Sequence, residues 1–174
     1  MSWIIKPSSP ISCPVFNQEL DFPVNNIYCV GRNYREHSIE MGSNPDREPP
    51  FFFQKNSEVL LLPGQNLNYP EDTKDLHYEV ELVVAISKDC FKINKNDVHD
   101  VIFGYAVGVD LTKRDIQKKA KLSGKPWLSG KVFSKSAAIS EILMNDEFLE
   151  LDKLEISLDV NTKTKQRSSC NDMI

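Results

Sequence analysis

The sequence predicts one α+β domain, mainly β, and three observations carry that expectation. Short apolar runs recur along the chain, each bounded by proline, glycine, asparagine or aspartate, which is the pattern of strands and turns. Only a few stretches carry helix start and stop signals, and all are brief. The 174 residues, 40% hydrophobic and 26% charged, have the make-up of an ordinary globular protein with a core, and they contain no repeat, low-complexity tract or interdomain linker.

Residues 1–25 read as a proline-rich lead-in, because Pro7, Pro10, Pro14 and Pro23 suit extended pieces and turns and break helices. Residues 26–174 form the domain that follows. There, "NIYCVGRNY" predicts a short strand from Ile27 to Val30 broken by Gly31, and "REHSIEMG" a short helix stopped at Gly42. After the turn-rich "SNPDREPP", the runs "FFFQK" and "EVLLLPG" predict two strands separated by a polar turn, the second closed by Pro63 and Gly64. "DLHYEVELVVAI" predicts a strand with Tyr78, Val80, Leu82, Val84 and Ile86 on one wholly apolar face; Glu79, Glu81, Val83 and Ala85 fall on the other. Asp97 is placed to open a brief helical turn. "VIFGYAVGVDL" predicts a strand ending at Asp110, and Thr112 with Asp115 has capping-box spacing for a basic helix stopped by Gly124 and Pro126. "KVF" and "LEISLDVN" add two more strands.

The formal net charge of -4 argues against nucleic-acid and anionic-membrane partners, which attract basic surfaces. Cys13, Cys29, Cys90 and Cys170 are scattered without a C-x-x-C pair, so they read as reduced thiols rather than a zinc ribbon or disulfide framework. The start "MSWIIKPSSP" lacks a signal-peptide pattern, and the apolar runs are too short to span a bilayer. A cytoplasmic protein acting on a small molecule is the expectation.

Glu79 and Glu81 stand where the polar end of their strand meets its apolar part. Same-face neighbours on a strand lie roughly 6.5 to 7 Å apart, so both carboxylates can approach one point, where a cation or a shared proton must offset their repulsion. A solvated strand end carrying two acids is the plainer alternative. Asp110, at the end of another apolar run, can add a third carboxylate, or can be a simple turn acid before the helix. Three such acids form an oxygen-only donor set, which suits Mg2+ or Mn2+ better than zinc. His37 and Glu40, three residues apart, can meet on a helix as an oriented base or as an exposed ion pair. The lysines around residues 113–125 read as a solvated face, but Arg114, with Gln117, can offer donors to an organic carboxylate. Lys55 and Lys131 each border an apolar stretch from which an ammonium can enter a pocket, although a lysine stem lying along a surface gives the same pattern.

Taken in order, "VGRNYREHSIEMG", "PPFFFQK", "LHYEVELVVAI", "GYAVGVDLTKRDIQ" and "GKPWLSGKVF" resemble the fumarylacetoacetate hydrolase family, and most of all its acylpyruvase and oxaloacetate decarboxylase branch. The likeness runs from about Ile27 to Phe133. It implies a roll or sandwich of mixed β-sheets with few short helices, usually a homodimer. It further implies that Glu79, Glu81 and Asp110 ligate Mg2+ or Mn2+, with Ca2+ a further candidate, and that His37 and Glu40 form a catalytic dyad. By the same matching Lys131 is the active-site lysine, and Arg114, Gln117 and Lys55 lie near the substrate.

The activity so implied is metal-dependent cleavage of a carbon–carbon bond in acylpyruvate-type 2,4-diketo acids, with departure of a pyruvate enolate. Oxaloacetate decarboxylase, tautomerase and diene-dioate isomerase are the alternatives within the family, and a metal-binding homologue without turnover is the alternative outside catalysis. The family pattern continues past the Met173-Ile174 pair with a further strand and a T-G-T-P loop. The expectation is therefore a C-terminally truncated form that binds metal, turns over poorly and self-associates.

Overall fold

Apolar runs become strands wherever turn residues bound them. The computed structural model describes residues 4–5, 9–31, 33–34, 51–145 and 150–173. In chain order its strands are β1 (Ile11–Cys13), β2 (Phe22–Val24), β3 (Asn26–Gly31), β4 (Phe51–Asn56), β5 (Leu60–Leu61), β6 (Leu76–His77), β7 (Val80–Ile86), β8 (Ile102–Asp110), β9 (Thr112–Lys113), β10 (Ala137–Ile139), β11 (Leu143–Met144), β12 (Glu155–Val160) and β13 (Lys163–Ser169). The two described α-helices are α1 (Arg114–Leu122) and α2 (Leu128–Lys131). The mainly β expectation holds.

The two most apolar strands, β7 and β8, pair antiparallel from Val80 opposite Val109 to Ala85 opposite Gly104, with a register shift before Ile86. On the far edge of β8, β11 pairs near its start and β10 at its end, and β10 carries β5 in parallel. The sheet is therefore mixed. Four antiparallel pairs surround it: β1 with β2, β3 with β4, β6 with β9, and β12 with β13.

Two apolar clusters hold this arrangement. Val83 and Ala85 pack with Ala106, Ile142, Cys13 and Val15, so the proline-rich N-terminal hairpin is built into this core. Val80 and Leu82, on the opposite face of β7, pack with Ile156, Cys170 and Leu158. The second cluster reaches no further along the strand. Val84 and Ile86 are 42% and 47% exposed, which corrects the expectation of an apolar face made for burial along its whole length.

Other departures have local causes. Thr112 lies in β9 rather than capping a helix, and its hydroxyl donates to the Asp110 carbonyl at 3.1 Å. Asp115 instead accepts from Thr73 Oγ1 at 2.6 Å and from the Lys74 N–H at 3.2 Å, so a distant loop has captured the predicted cap. "KVF" is not a strand: the Gly130 and Lys131 N–H groups donate to the Trp127 carbonyl and Val132 to Leu128, winding α2 instead. A 3-10 turn over Lys95–Val101 contains Asp97 but opens three residues earlier, at Asn94, whose amide donates to the Asp97 carboxylate. No described helix is long and apolar enough to cross a membrane.

Candidate active site

Glu79 sits one residue ahead of β7, yet the ladder runs on through it: the Asp110 N–H donates to the Glu79 carbonyl at 2.8 Å. Glu81 lies opposite Gly108. Residues paired across an antiparallel ladder share a face, so Glu79, Glu81 and Asp110 all leave the sheet on the same side.

Three cations meet them there. α2 delivers Lys131, whose Nζ lies 2.6 Å from Glu79 Oε2 and 2.7 Å from Asp110 Oδ2. Its neighbour Gly130 permits this placement, because a Cβ at that position would stand 2.9 Å from the backbone nitrogen of Gln117 on α1. Lys55, from β4, pairs with Asp110 Oδ1 at 2.8 Å and donates to the Leu111 and Ser136 carbonyls. Arg114 opens α1 and donates through Nη2 to Glu79 Oε1 and through Nη1 to Gln117 Oε1, both at 2.6 Å. Lys131 also lies over the Phe53 ring, 5.0 Å from its centroid.

These partners separate the acids electrostatically. Burial opposes the charge on Glu79, but Lys131 and then Arg114 outweigh it and hold the carboxyl below its ordinary range. Glu81 has no ion-pair partner among the described residues. Burial, then the Glu79 and Asp110 charges, push its pKa up to about 7. Burial likewise lowers the pKa of Lys55 against the pull of Asp110.

The donor set fits a hard divalent cation: three carboxylates, oxygen only, on one face, one of them in need of compensating positive charge. Among the described residues no three acids are drawn together around a single point, and the Lys131 ammonium lies between two of them. His37 and Glu40 lie outside the described residues. The structure thus brings Glu79, Asp110, Lys131, Arg114, Gln117 and Lys55 into one bonded network, with Glu81 beside it.

Two bordering residues escaped the sequence reading. The Tyr34 hydroxyl is buried without a hydrogen-bond partner among the described residues, and burial followed by the nearby Glu81 raises its pKa to about 12. Cys29 on β3 is raised to about 12 by burial and then Asp110. Their signal was faint: an aromatic after "GRN" and a cysteine in an alternating strand. Lys113 departs from the solvated basic face expected around it, since it is buried, pairs with Asp72 at 2.6 Å and lies over the Phe133 ring.

Fold and site together define a class, a mainly β protein with an enclosed set of carboxylates matched by cations. Comparison with known proteins narrows it. Residues 26–174 match the model of the fumarylacetoacetate (FAA) hydrolase C-terminal family. The chain is 38% identical over 156 residues to the Escherichia coli oxaloacetate tautomerase YcgM, covering 89% of this chain and 71% of that protein. It is also 38% identical over 136 residues to a Ralstonia fumarylpyruvate hydrolase, covering 77% and 70%. The crystal structure of the Pseudomonas aeruginosa fumarylpyruvate hydrolase in complex with Mn2+ and pyruvate superposes with a TM-score of 0.90 at 38% identity, covering 99% of this chain and 76% of that one. The chain belongs to the fumarylacetoacetate hydrolase family.

Proposed function

We propose that this protein is a divalent-metal-dependent enzyme that cleaves a carbon–carbon bond in acylpyruvate-type 2,4-diketo acids, fumarylpyruvate being the form that its relatives' names point to. The observation that carries the reading is the set of Glu79, Glu81 and Asp110 on one sheet face, with Lys131 and Arg114 bonded among them. It is supported by the likeness to a hydrolase solved with Mn2+ and pyruvate. Those three acids would hold Mn2+ or Mg2+, which supplies a Lewis acid for the keto-acid end of the substrate.

The other roles belong to the chain's own side chains. The Arg114 guanidinium fixes Gln117 Oε1 as an acceptor, so the Gln117 amide nitrogen is left to donate to a substrate carboxylate. Lys131, almost fully buried, presents a positive charge where the departing enolate gathers negative charge, and burial strengthens that interaction. The dyad that the family resemblance implies, His37 with Glu40, would take the proton from the attacking water and later return one to the leaving group. The reading also carries a homodimer, testable by sedimentation.

A second reading, oxaloacetate tautomerase, is favoured by the likeness to the E. coli enzyme and needs only proton movement between carbon and oxygen in a similarly chelated keto acid. Decarboxylation and diene-dioate isomerisation remain within reach of the same residues. Incubation of the chain with fumarylpyruvate and with oxaloacetate, each with Mn2+ and with EDTA, separates them. Metal-dependent release of pyruvate from the diketo acid supports the hydrolase, and enol-to-keto conversion of oxaloacetate alone supports the tautomerase. Inertness toward both in a metal-loaded sample would leave a binding homologue.

A further inference from the structure

Lys55 is 1% exposed and has three donors. Two donate, to the Ser136 carbonyl at 2.8 Å and the Leu111 carbonyl at 3.2 Å, and the ammonium forms an ion pair with Asp110 Oδ1 at 2.8 Å. A substrate-binding role, which the family resemblance implied, needs an ammonium that can turn outward, and this one is buried with two carbonyls and a carboxylate around it. What Lys55 does instead is pair with one oxygen of Asp110, while Oδ2 is the oxygen turned to Lys131.

We infer that Lys55 is a positioning residue that sets metal selectivity, by making Asp110 a one-oxygen donor and so favouring small octahedral cations over Ca2+. The inference rests on the metal site proposed above. Mg2+ and Mn2+ suit six-coordinate sites built from single carboxylate oxygens, whereas Ca2+ takes six to eight oxygens and readily chelates a carboxylate through both. Arg114 acts in the same sense on Glu79 by holding Oε1. Two of the three carboxylates therefore each have one oxygen tied back by Lys55 or Arg114, and the Lys131 ammonium, which a bound cation would have to displace, sits on the other oxygen of each.

The test is titration calorimetry of the full chain with MnCl2 and CaCl2, comparing the parent with Lys55→Met. Loss of a positive charge strengthens the attraction for both dications alike and cancels in the ratio of their affinities. The ratio therefore reads geometry. It is expected to shift toward Ca2+ by about tenfold, in the range known for groups that orient metal ligands, while pyruvate binding to the Mn2+-loaded protein stays at the parent value. An unmoved ratio in a folded variant overturns the inference, as does weakened pyruvate binding with the ratio unmoved, which would return Lys55 to the substrate. If Lys55→Met proves unfolded by circular dichroism, Arg114→Met decides by the same ratio, a shift toward Ca2+ supporting and no shift overturning. A parent chain that binds neither metal would remove the site itself, a result distinct from a selectivity that fails to move.

Discussion

The Lys131 ammonium donates to Glu79 Oε2 at 2.6 Å, although 52 residues separate the two in sequence. A buried ammonium and a partly buried carboxylate meet here in a network shared with Arg114 and Asp110, so removing Lys131 takes one cation from two carboxylates at once. Lys131→Met is expected to destabilise the metal-free chain by about 3 kcal/mol, a cost typical of breaking a buried pair, as read from urea denaturation. In the metal-loaded enzyme it should lower kcat by about 10²-fold or more with KM near the parent value, since the charge it offsets grows toward the transition state. A rise in KM alone would make Lys131 a binding residue.

Glu81 should respond in the opposite direction. Its carboxyl is pushed up to about 7 by burial and by Glu79 and Asp110, so the folded state favours the protonated form. A raised carboxyl pKa costs nothing below the ordinary carboxylate range; the cost builds as pH rises toward 7 and is complete above it. Glu81→Gln is therefore expected to raise the thermal midpoint of the EDTA-treated chain at pH 8 and to leave it unchanged at pH 4, while weakening Mn2+ binding. Equal midpoints at pH 8 would show that Glu81 is already compensated.

Gly130→Ala tests how α2 is seated. The added Cβ would meet Gln117 backbone atoms at 2.9 and 3.1 Å, and backbone cannot swing aside as a flexible side chain can. Overpacking of this kind costs about 1–3 kcal/mol, and because Lys131 is the next residue, turnover should fall with stability. Wild-type activity at a parent melting temperature would show that the two helices separate without consequence for the site.

The cysteines offer a chemical readout of burial. Cys13 and Cys29 have thiols raised to about 11 and about 12, burial being the largest cause in each, so at pH 8 almost none of either is thiolate. Cys90 is exposed. Iodoacetamide at pH 8 followed by peptide mass spectrometry should find Cys90 carboxamidomethylated first and Cys13 and Cys29 protected until the chain is unfolded. Early labelling of Cys29 would mean that β3 opens readily beside the site.

Much of this was legible in the sequence where one segment decides its own fate. The β7 and β8 runs declare themselves by apolar pattern, and period two puts Glu79 and Glu81 on one face; that Asp110 joins them was implied by the family resemblance and becomes visible once β7 pairs with β8. What could not be read depends on distant partners. Asp115 has the spacing of a cap, but Thr73, 42 residues away, holds it. Lys55 shows in sequence only as a lysine ending an aromatic run, and its engagement becomes visible once Asp110 and the Ser136 carbonyl, 81 residues on, come to meet it. Val84 and Ile86 obey the same alternation as Val80, and nothing local says that the covering cluster stops at Leu82. The expected His37 and Glu40 dyad rests on the family resemblance.

The pairing of β5 with β10, and the ammonium of Lys55 held between Asp110 and Ser136, close loops of dozens of residues. Such closures carry their entropic cost before any contact rewards them, so they slow folding and fall late in it. Lys55 must also shed its water as they form, which ties its entry to completion of the surrounding sheet. The acids and cations of the site are strangers to one another in any partly folded chain. Catalysis and the last steps of folding should then appear together in a refolding time course, and activity will report on the whole fold rather than on one corner of it.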